Sequence, residues 1–190
     1  MKAWRFLREQ GIAARNVAVG GDSAGGNLTI TLINRLRAAG EEQPACAWLA
    51  SPWTDLTMSG ASLADKDGVD PLIHKAYLEE LAQAYAGSAD RRDPLISPLF
   101  AGLRGFPPTL VQVGSSETLL DDSVRFARSR RQRDAGGMAA HDPCLADVER
   151  EARGRAPGLG ACRRVHQALD LKVWPRTVVS GQFDAISPPD

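Results

Sequence analysis

Ser23 lies in the run Gly21-Asp22-Ser23-Ala24-Gly25, a Gly-x-Ser-x-Gly pattern. A serine hydroxyl is a weak nucleophile at neutral pH, so acyl chemistry needs a base beside it and hydrogen-bond donors for the oxyanion it creates. The pattern suits a tight strand-to-helix turn that lifts the hydroxyl above the carboxyl end of a sheet. On this reading the two glycines are steric requirements, since a side chain two positions either side of Ser23 would strike the strand or the helix. The hydroxyl then sits at the positive end of the following helix. The amide of Ala24 points where an oxyanion would form, supplying half of an oxyanion hole. The competing reading is an idle serine in a glycine-rich turn. A valine-bearing run before it, a helical segment after it and the extra Gly26 weigh against that. No Gly-Lys-Ser/Thr follows, which argues against a phosphate loop.

The surrounding elements are those such a turn needs. Residues 3–10 read as helix, stopped by Gly11 at the C′ position. Residues 16–20 (Asn-Val-Ala-Val-Gly) have the short apolar character of a buried parallel strand. Residues 27–39 read as helix, with Leu28, Leu32 and Leu36 as its apolar stripe and Gly40 as its stop. Residues 45–50 form a second strand, residues 71–86 a helix with Pro71 at its start, residues 109–113 a third strand and residues 119–128 a further helix. Strands alternating with helices predict an α/β fold, a parallel sheet with helices on both faces.

Composition bounds the rest. A chain of 190 residues that is 43% apolar suits one domain with a real core. Charges balance at 23 basic and 23 acidic, giving no reason to expect nucleic acid or an anionic membrane. No apolar run approaches the ~20 residues of a membrane span. Cys46, Cys144 and Cys162 lack metal-site spacing. The expectation is a cytoplasmic protein with no metal and no cofactor. After residue 127 the pattern fails: Arg, Ala, Gly and Pro supply 30 of the last 63 residues, and neither helical nor strand periodicity survives. Residues 1–127 are therefore expected to form the core, and residues 128–190 an irregular tail.

Gly20-Gly21-Asp22-Ser23-Ala24-Gly25-Gly26-Asn27 resembles the hormone-sensitive-lipase-like branch of the α/β-hydrolases. Ser51-Pro52-Trp53-Thr54-Asp55-Leu56-Thr57 and Asp93-Pro94-Leu95-Ile96-Ser97-Pro98-Leu99-Phe100 resemble its connecting segments. The resemblance covers residues 1–127. It implies a partial α/β-hydrolase fold and a carboxylesterase acting on small-molecule esters, often with short acyl chains, through an acyl-enzyme. It also places the triad acid in the loop after the third strand, two residues before the first leucine of Glu117-Thr118-Leu119-Leu120-Asp121-Asp122. That assigns the acid to Glu117, with Asp121 second. Asp121 and Asp122 otherwise suit a helix N-terminus, where carboxylates favour the dipole. Cys46 reads as core, and the aspartates between Asp65 and Asp70 as loop.

The resemblance also requires a histidine after the acid, in a pattern like Trp-Pro-x-Met-x-His. His74 precedes the acid, and neither His141 nor His166 fits. Trp174-Pro175 occurs, but Val179 stands where the histidine should. Read one nucleotide forward, however, the Met138 codon and any alanine codon after it give Trp. The next shifted codons permit Pro, His, Met, Ile, His, Ala and Trp. The expectation is a non-native, frameshifted tail, the lost histidine codon straddling Pro143 and Cys144 after a small deletion near residues 128–133. The family's His-Gly-Gly-Gly loop, whose amides complete the oxyanion hole, would lie ahead of Met1. The reading is a serine ester hydrolase impaired in this chain; the alternative is a non-catalytic α/β-hydrolase remnant or binding module.

Overall fold

The computed structural model describes residues 1–134, with side chains through Ser129. Helix α1 (Lys2–Glu9) closes as expected at Gly11, whose φ of 78° suits a residue without a Cβ. The Gly11 amide donates to the Arg8 carbonyl at 3.0 Å and the Ile12 amide to the Leu7 carbonyl at 3.2 Å, the paired bonds of a Schellman motif. Three strands follow, β1 (Ala18–Asp22), β2 (Cys46–Ala50) and β3 (Thr109–Gln112), in the order β1-β2-β3 and parallel throughout. The helices between and after them are α2 (Ala24–Ala38), α3 (Ser62–Asp65), α4 (Lys75–Ala86) and α5 (Leu120–Asp134).

Strand side chains alternate between faces, and the register sorts them. Ala47 pairs with Val19 and Thr109, and Leu49 with Gly21 and Val111. This face is the core, where Ile30 and Ile33 of α2, Phe126 of α5 and the loop residues Leu103 and Phe106 close over it. Phe126 meets Phe106 edge to face, with centroids 6.1 Å apart. On the other face Gly20 pairs with Trp48 and Leu110, and the described residues leave it open. Trp48 there donates from Nε1 to Gln112 Oε1 at 2.6 Å. Strand β1 is thus buried on one side only, not on both as residues 16–20 suggested. Gly20 belongs to this face, because a Cβ on it would stand 2.9 Å from the Trp48 carbonyl oxygen.

Two helices differ from expectation. In α2 the buried positions are Gly26, Asn27, Thr29, Ile30, Ile33 and Leu36, while Leu28 is 56% exposed. The leucine spacing fitted one turn of the helix face but not the face the sheet selected. Helix α4 begins at Lys75 rather than Pro71, because the Asp70 carboxylate takes the Leu72 and Ile73 amides at 2.9 and 3.0 Å in a turn of its own. Helix α5 continues to Asp134, six residues past Arg128. The remainder of the expected irregular tail, residues 135–190, lies outside the described residues. No described helix is long and apolar enough to cross a membrane.

Phe126→Ala is expected to cost about 3–5 kcal/mol in urea unfolding, the range for truncating a buried aromatic. Leu28→Ala should stay within about 0.5 kcal/mol, as surface changes do. A large loss for Leu28→Ala would contradict the helix orientation.

Candidate active site

The β1 to α2 turn is built from close backbone approach. Ser23 has φ 52° and ψ −116°, a conformation few residues with a Cβ adopt, and caps α2. Its amide still belongs to the sheet, donating to the Ala50 carbonyl at 3.0 Å. Its carbonyl accepts from the amides of Gly26, Asn27 and Trp53 at 3.0, 3.3 and 3.1 Å. Four backbone hydrogen bonds thus hold the strained residue in place, with Gly21 and Gly26 giving the necessary room. A Cβ on Gly21 would lie 2.3 Å from the Gly25 carbonyl group, and one on Gly26 would lie 2.7 Å from Pro52 Cβ. A Cβ on Gly25 would meet nothing within 4 Å among the described residues. The steric demand read onto Gly25 therefore falls on Gly26, where helix α2 passes Pro52. The Ser23 hydroxyl and the Ala24 amide have no hydrogen-bond partner among the described residues.

The loop after β2 couples this turn to the far side of the sheet. Three consecutive amides face two ways: Trp53 donates to Ser23, while Thr54 and Asp55 donate to Asp122 Oδ2 on α5 at 2.7 and 2.8 Å. Buried Asn27 fastens the same loop from above, its Nδ2 donating to the carbonyls of Trp53 and Ile96 at 3.0 and 2.9 Å. Asp122 is fully buried and not, as its sequence context suggested, an exposed dipole partner. Burial pushes its carboxyl up to about 7, and the nearby Asp55 charge adds to this, against the Asp55 and Thr54 amides and Arg125. Its Oδ1 has no partner, which suits a proton held there. Asp55 is equally buried but goes the other way. Its burial is outweighed by Ser59, Thr57 and Arg125, which hold the carboxylate below its ordinary range.

Glu117 stands four residues beyond Val113, in the turn that leads from β3 into α5. Because the strands are parallel, Ser23 and Glu117 both leave the carboxyl edge of the sheet, with β2 between them. Two strand spacings make that separation about 10 Å at the strand ends. The half-buried Glu117 side chain turns back so that Oε1 accepts the Gly114 amide at 2.6 Å. Asp121, the second candidate, is engaged instead by Ser62, whose amide reaches its Oδ2 at 3.0 Å. Asp70 lies in a loop as expected but is buried there, its Oδ2 accepting the Thr118 amide at 2.9 Å, whereas Asp65, also expected in a loop, ends α3. Of the histidines, His74 is exposed at the start of α4, its Nδ1 2.9 Å from the Asp67 carbonyl oxygen. It makes no hydrogen bond to Ser23 or Glu117. His141 and His166 lie outside the described residues, as do Trp174 and Pro175. Cys46 is buried core as expected, and burial pushes its thiol up.

A family described as alpha/beta hydrolase fold matches residues 1–141. The chain belongs to that family. It is 43% identical over 121 residues to an acetyl-hydrolase from Streptomyces hygroscopicus, covering 64% of this chain and 40% of the relative. It is 41% identical to an esterase from Acinetobacter venetianus, covering 69% and 44%. A solved hormone-sensitive-lipase homologue from a metagenome library superposes with a TM-score of 0.66 at 38% identity, over 69% of this chain and 45% of that one. The chain is thus a hormone-sensitive-lipase-like α/β-hydrolase and spans less than half the length of these relatives.

Within this α/β-hydrolase chain, the sequence singles out Ser23 and Glu117 but not the groups that brace their turns. Asn27, Asp70 and Asp122 gave no motif of their own. The one available signal was Asp70-Pro71, a dipeptide that favours a side-chain-closed turn over a helix start.

Gly26→Ala is expected to destabilise by about 1–3 kcal/mol through overpacking against Pro52. Gly25→Ala should gain up to about 1 kcal/mol from helix propensity. Equal losses at both positions would contradict the assignment. The Asp122 carboxyl gives a pH signature with a definite sign. The native state keeps its proton up to about pH 7, whereas an unfolded aspartate loses it near 3.8. Native protein therefore binds more protons between these values, and stability falls as pH rises through the window. Asp122→Asn should remove that fall and leave the variant more stable above pH 7, by on the order of 4 kcal/mol at most. Parallel stability profiles for the two proteins from pH 4.5 to 8 would refute it.

Proposed function

We propose that this chain carries the nucleophile and acid of a serine-dependent carboxylic ester hydrolase. The observation that carries the reading is the strained Ser23 turn, with a hydroxyl and an Ala24 amide both free of partners among the described residues, at the N-terminus of a 15-residue helix. Ser23 Oγ attacks the ester carbonyl, and the resulting oxyanion takes the Ala24 N–H and the positive helix end. The alcohol leaves with the proton that a base removed from Ser23, and water cleaves the acyl-enzyme by the reverse sequence. Glu117 orients that base and stabilises its protonated form. The name of the acetyl-hydrolase relative supports a short acyl group. A buried, unpaired Cys46 fits a reducing, cytoplasmic setting.

The base is the missing part. We place its codon one frame over, across Pro143 and Cys144, and reading the coding DNA for residues 126–144 tests this directly. A reading frame without the Trp-Pro-x-Met-x-His pattern would end the frameshift account. The second reading, a non-catalytic remnant or binding module, is favoured by the lack of any described histidine joined to Ser23 or Glu117.

Hydrolysis of p-nitrophenyl acetate separates the two. The expected result is turnover well below that of a relative that carries the Trp-Pro-x-Met-x-His pattern, since general-base catalysis is worth about 10²–10⁴ in rate. Ser23→Ala should remove what remains, and Glu117→Gln should lower it. Residual hydrolysis indifferent to Ser23→Ala would favour the remnant. Turnover equal to that of such a relative, and lost with Ser23→Ala, would show that another group serves as base.

A further inference from the structure

We propose that Asp70 is a positioning residue for the Glu117 carboxylate, acting through Thr118; the inference rests on Glu117 being the acid. Thr118 is fully buried, and every polar group it has is taken by the segment around α3 and the stretch that follows. Asp70 Oδ2 accepts its amide at 2.9 Å and its hydroxyl at 3.1 Å, while the Ser62 hydroxyl donates to its carbonyl at 2.7 Å. Ser62 Oγ also accepts the Asp121 amide at 2.9 Å, so the first turn of α5 is tied to the same segment.

The other carboxylate oxygen of Asp70 is occupied as well, by the amides of Leu72 and Ile73. Burial alone would push this carboxyl up. The Thr118, Leu72 and Ile73 amides and the Thr118 hydroxyl outweigh burial and hold it below its ordinary range, so it is a fixed anion at neutral pH. Four donors on one buried carboxylate make a rigid post. Glu117 is the residue immediately before the one that post grips. Among the described residues its side chain hydrogen-bonds only the Gly114 amide, and its backbone closes a turn from its amide to the Gly114 carbonyl at 3.2 Å. A Cβ at Gly114 would come within 2.8 Å of Glu117 Oε1, so the turn has little slack on that side. If Thr118 were released, the turn could rotate and Glu117 would behave as an ordinary surface glutamate. A bond 48 residues apart in sequence therefore sets where the acid points.

The test reads Glu117 directly and needs no turnover. The full chain is labelled with glutamate carrying ¹³C at the carboxyl, and the Glu117 resonance is assigned as the one lost in Glu117→Gln. In Asp70→Asn that resonance should move from its wild-type position to the chemical shift of the exposed Glu80. Thr118→Val, which removes one bond to Asp70, should move it part of the way, and Thr118→Ser, which keeps the hydroxyl, should restore it. An unchanged Glu117 resonance in folded Asp70→Asn and Thr118→Val, with only a lower melting temperature, would overturn the proposal. Should Asp70→Asn not fold, the Thr118→Val and Thr118→Ser pair decides alone. Failure of the acid assignment shows elsewhere, as hydrolysis indifferent to Glu117→Gln, and leaves the resonance test standing.

Discussion

The loop after β2 donates three successive amides in two directions, and the candidate site hangs on that division. Trp53 gives its N–H to the Ser23 carbonyl, and Thr54 and Asp55 give theirs to Asp122 on α5. One short stretch of backbone thereby spans from the turn that holds Ser23 to the helix that follows Glu117. Peptide geometry is stiff, so the spacing between those two elements is set by covalent dimensions rather than by side-chain flexibility. Asn27 adds a cross-brace from α2 to the carbonyls of Trp53 and Ile96. Buried polar groups with full sets of partners behave as fixed points, because losing any one bond leaves a desolvated group.

That arrangement explains how a residue at φ 52° persists. An unfavourable conformation costs about 1–3 kcal/mol and survives only where its surroundings determine it several times over. Ser23 is held by a sheet bond on its amide and three amides on its carbonyl, and its neighbours Gly21 and Gly26 allow backbone to approach where a Cβ would intrude. The consequence is a hydroxyl and an Ala24 amide without partners among the described residues, in the positive field of α2. Those are the attributes that acyl transfer uses.

Three buried aspartates around this frame differ through their donors. Asp70 and Asp55 each collect enough hydrogen bonds, and in Asp55's case an arginine, to remain anions despite burial. Asp122 has two strong amide donors on one oxygen and none on the other, and burial with the neighbouring Asp55 charge wins. The same residue type is thus a charged post in two places and a protonated clasp in a third. Burial raises all three, most of all Asp122; at Asp70 and Asp55 the count and direction of donors overcome it.

The local sequence determined what depends on neighbours along the chain. Gly-x-Ser-x-Gly marked the turn, Gly11 and Gly40 marked helix ends, and short valine-bearing runs marked parallel strands, because sterics and caps act within a few residues. Of the α2 stripe, Leu36 is buried and Leu32 half-buried but Leu28 is exposed, because only the sheet selects which part of a helix face is covered. Gly26 rather than Gly25 bears the close contact because Pro52 arrives from the loop after β2, 26 residues away in sequence. Asp70 reads as loop and Asp122 as helix start; Asp70 closes a local turn on the Leu72 and Ile73 amides, but nothing beside either residue reveals the distant amides it also binds. Those donors sit 48 and 67 or 68 residues away, and only the folded chain brings them to the carboxylates. Hydrogen-bond partners over such separations leave no local pattern, so the tertiary structure alone decided which carboxylates are exposed and which are built into the frame.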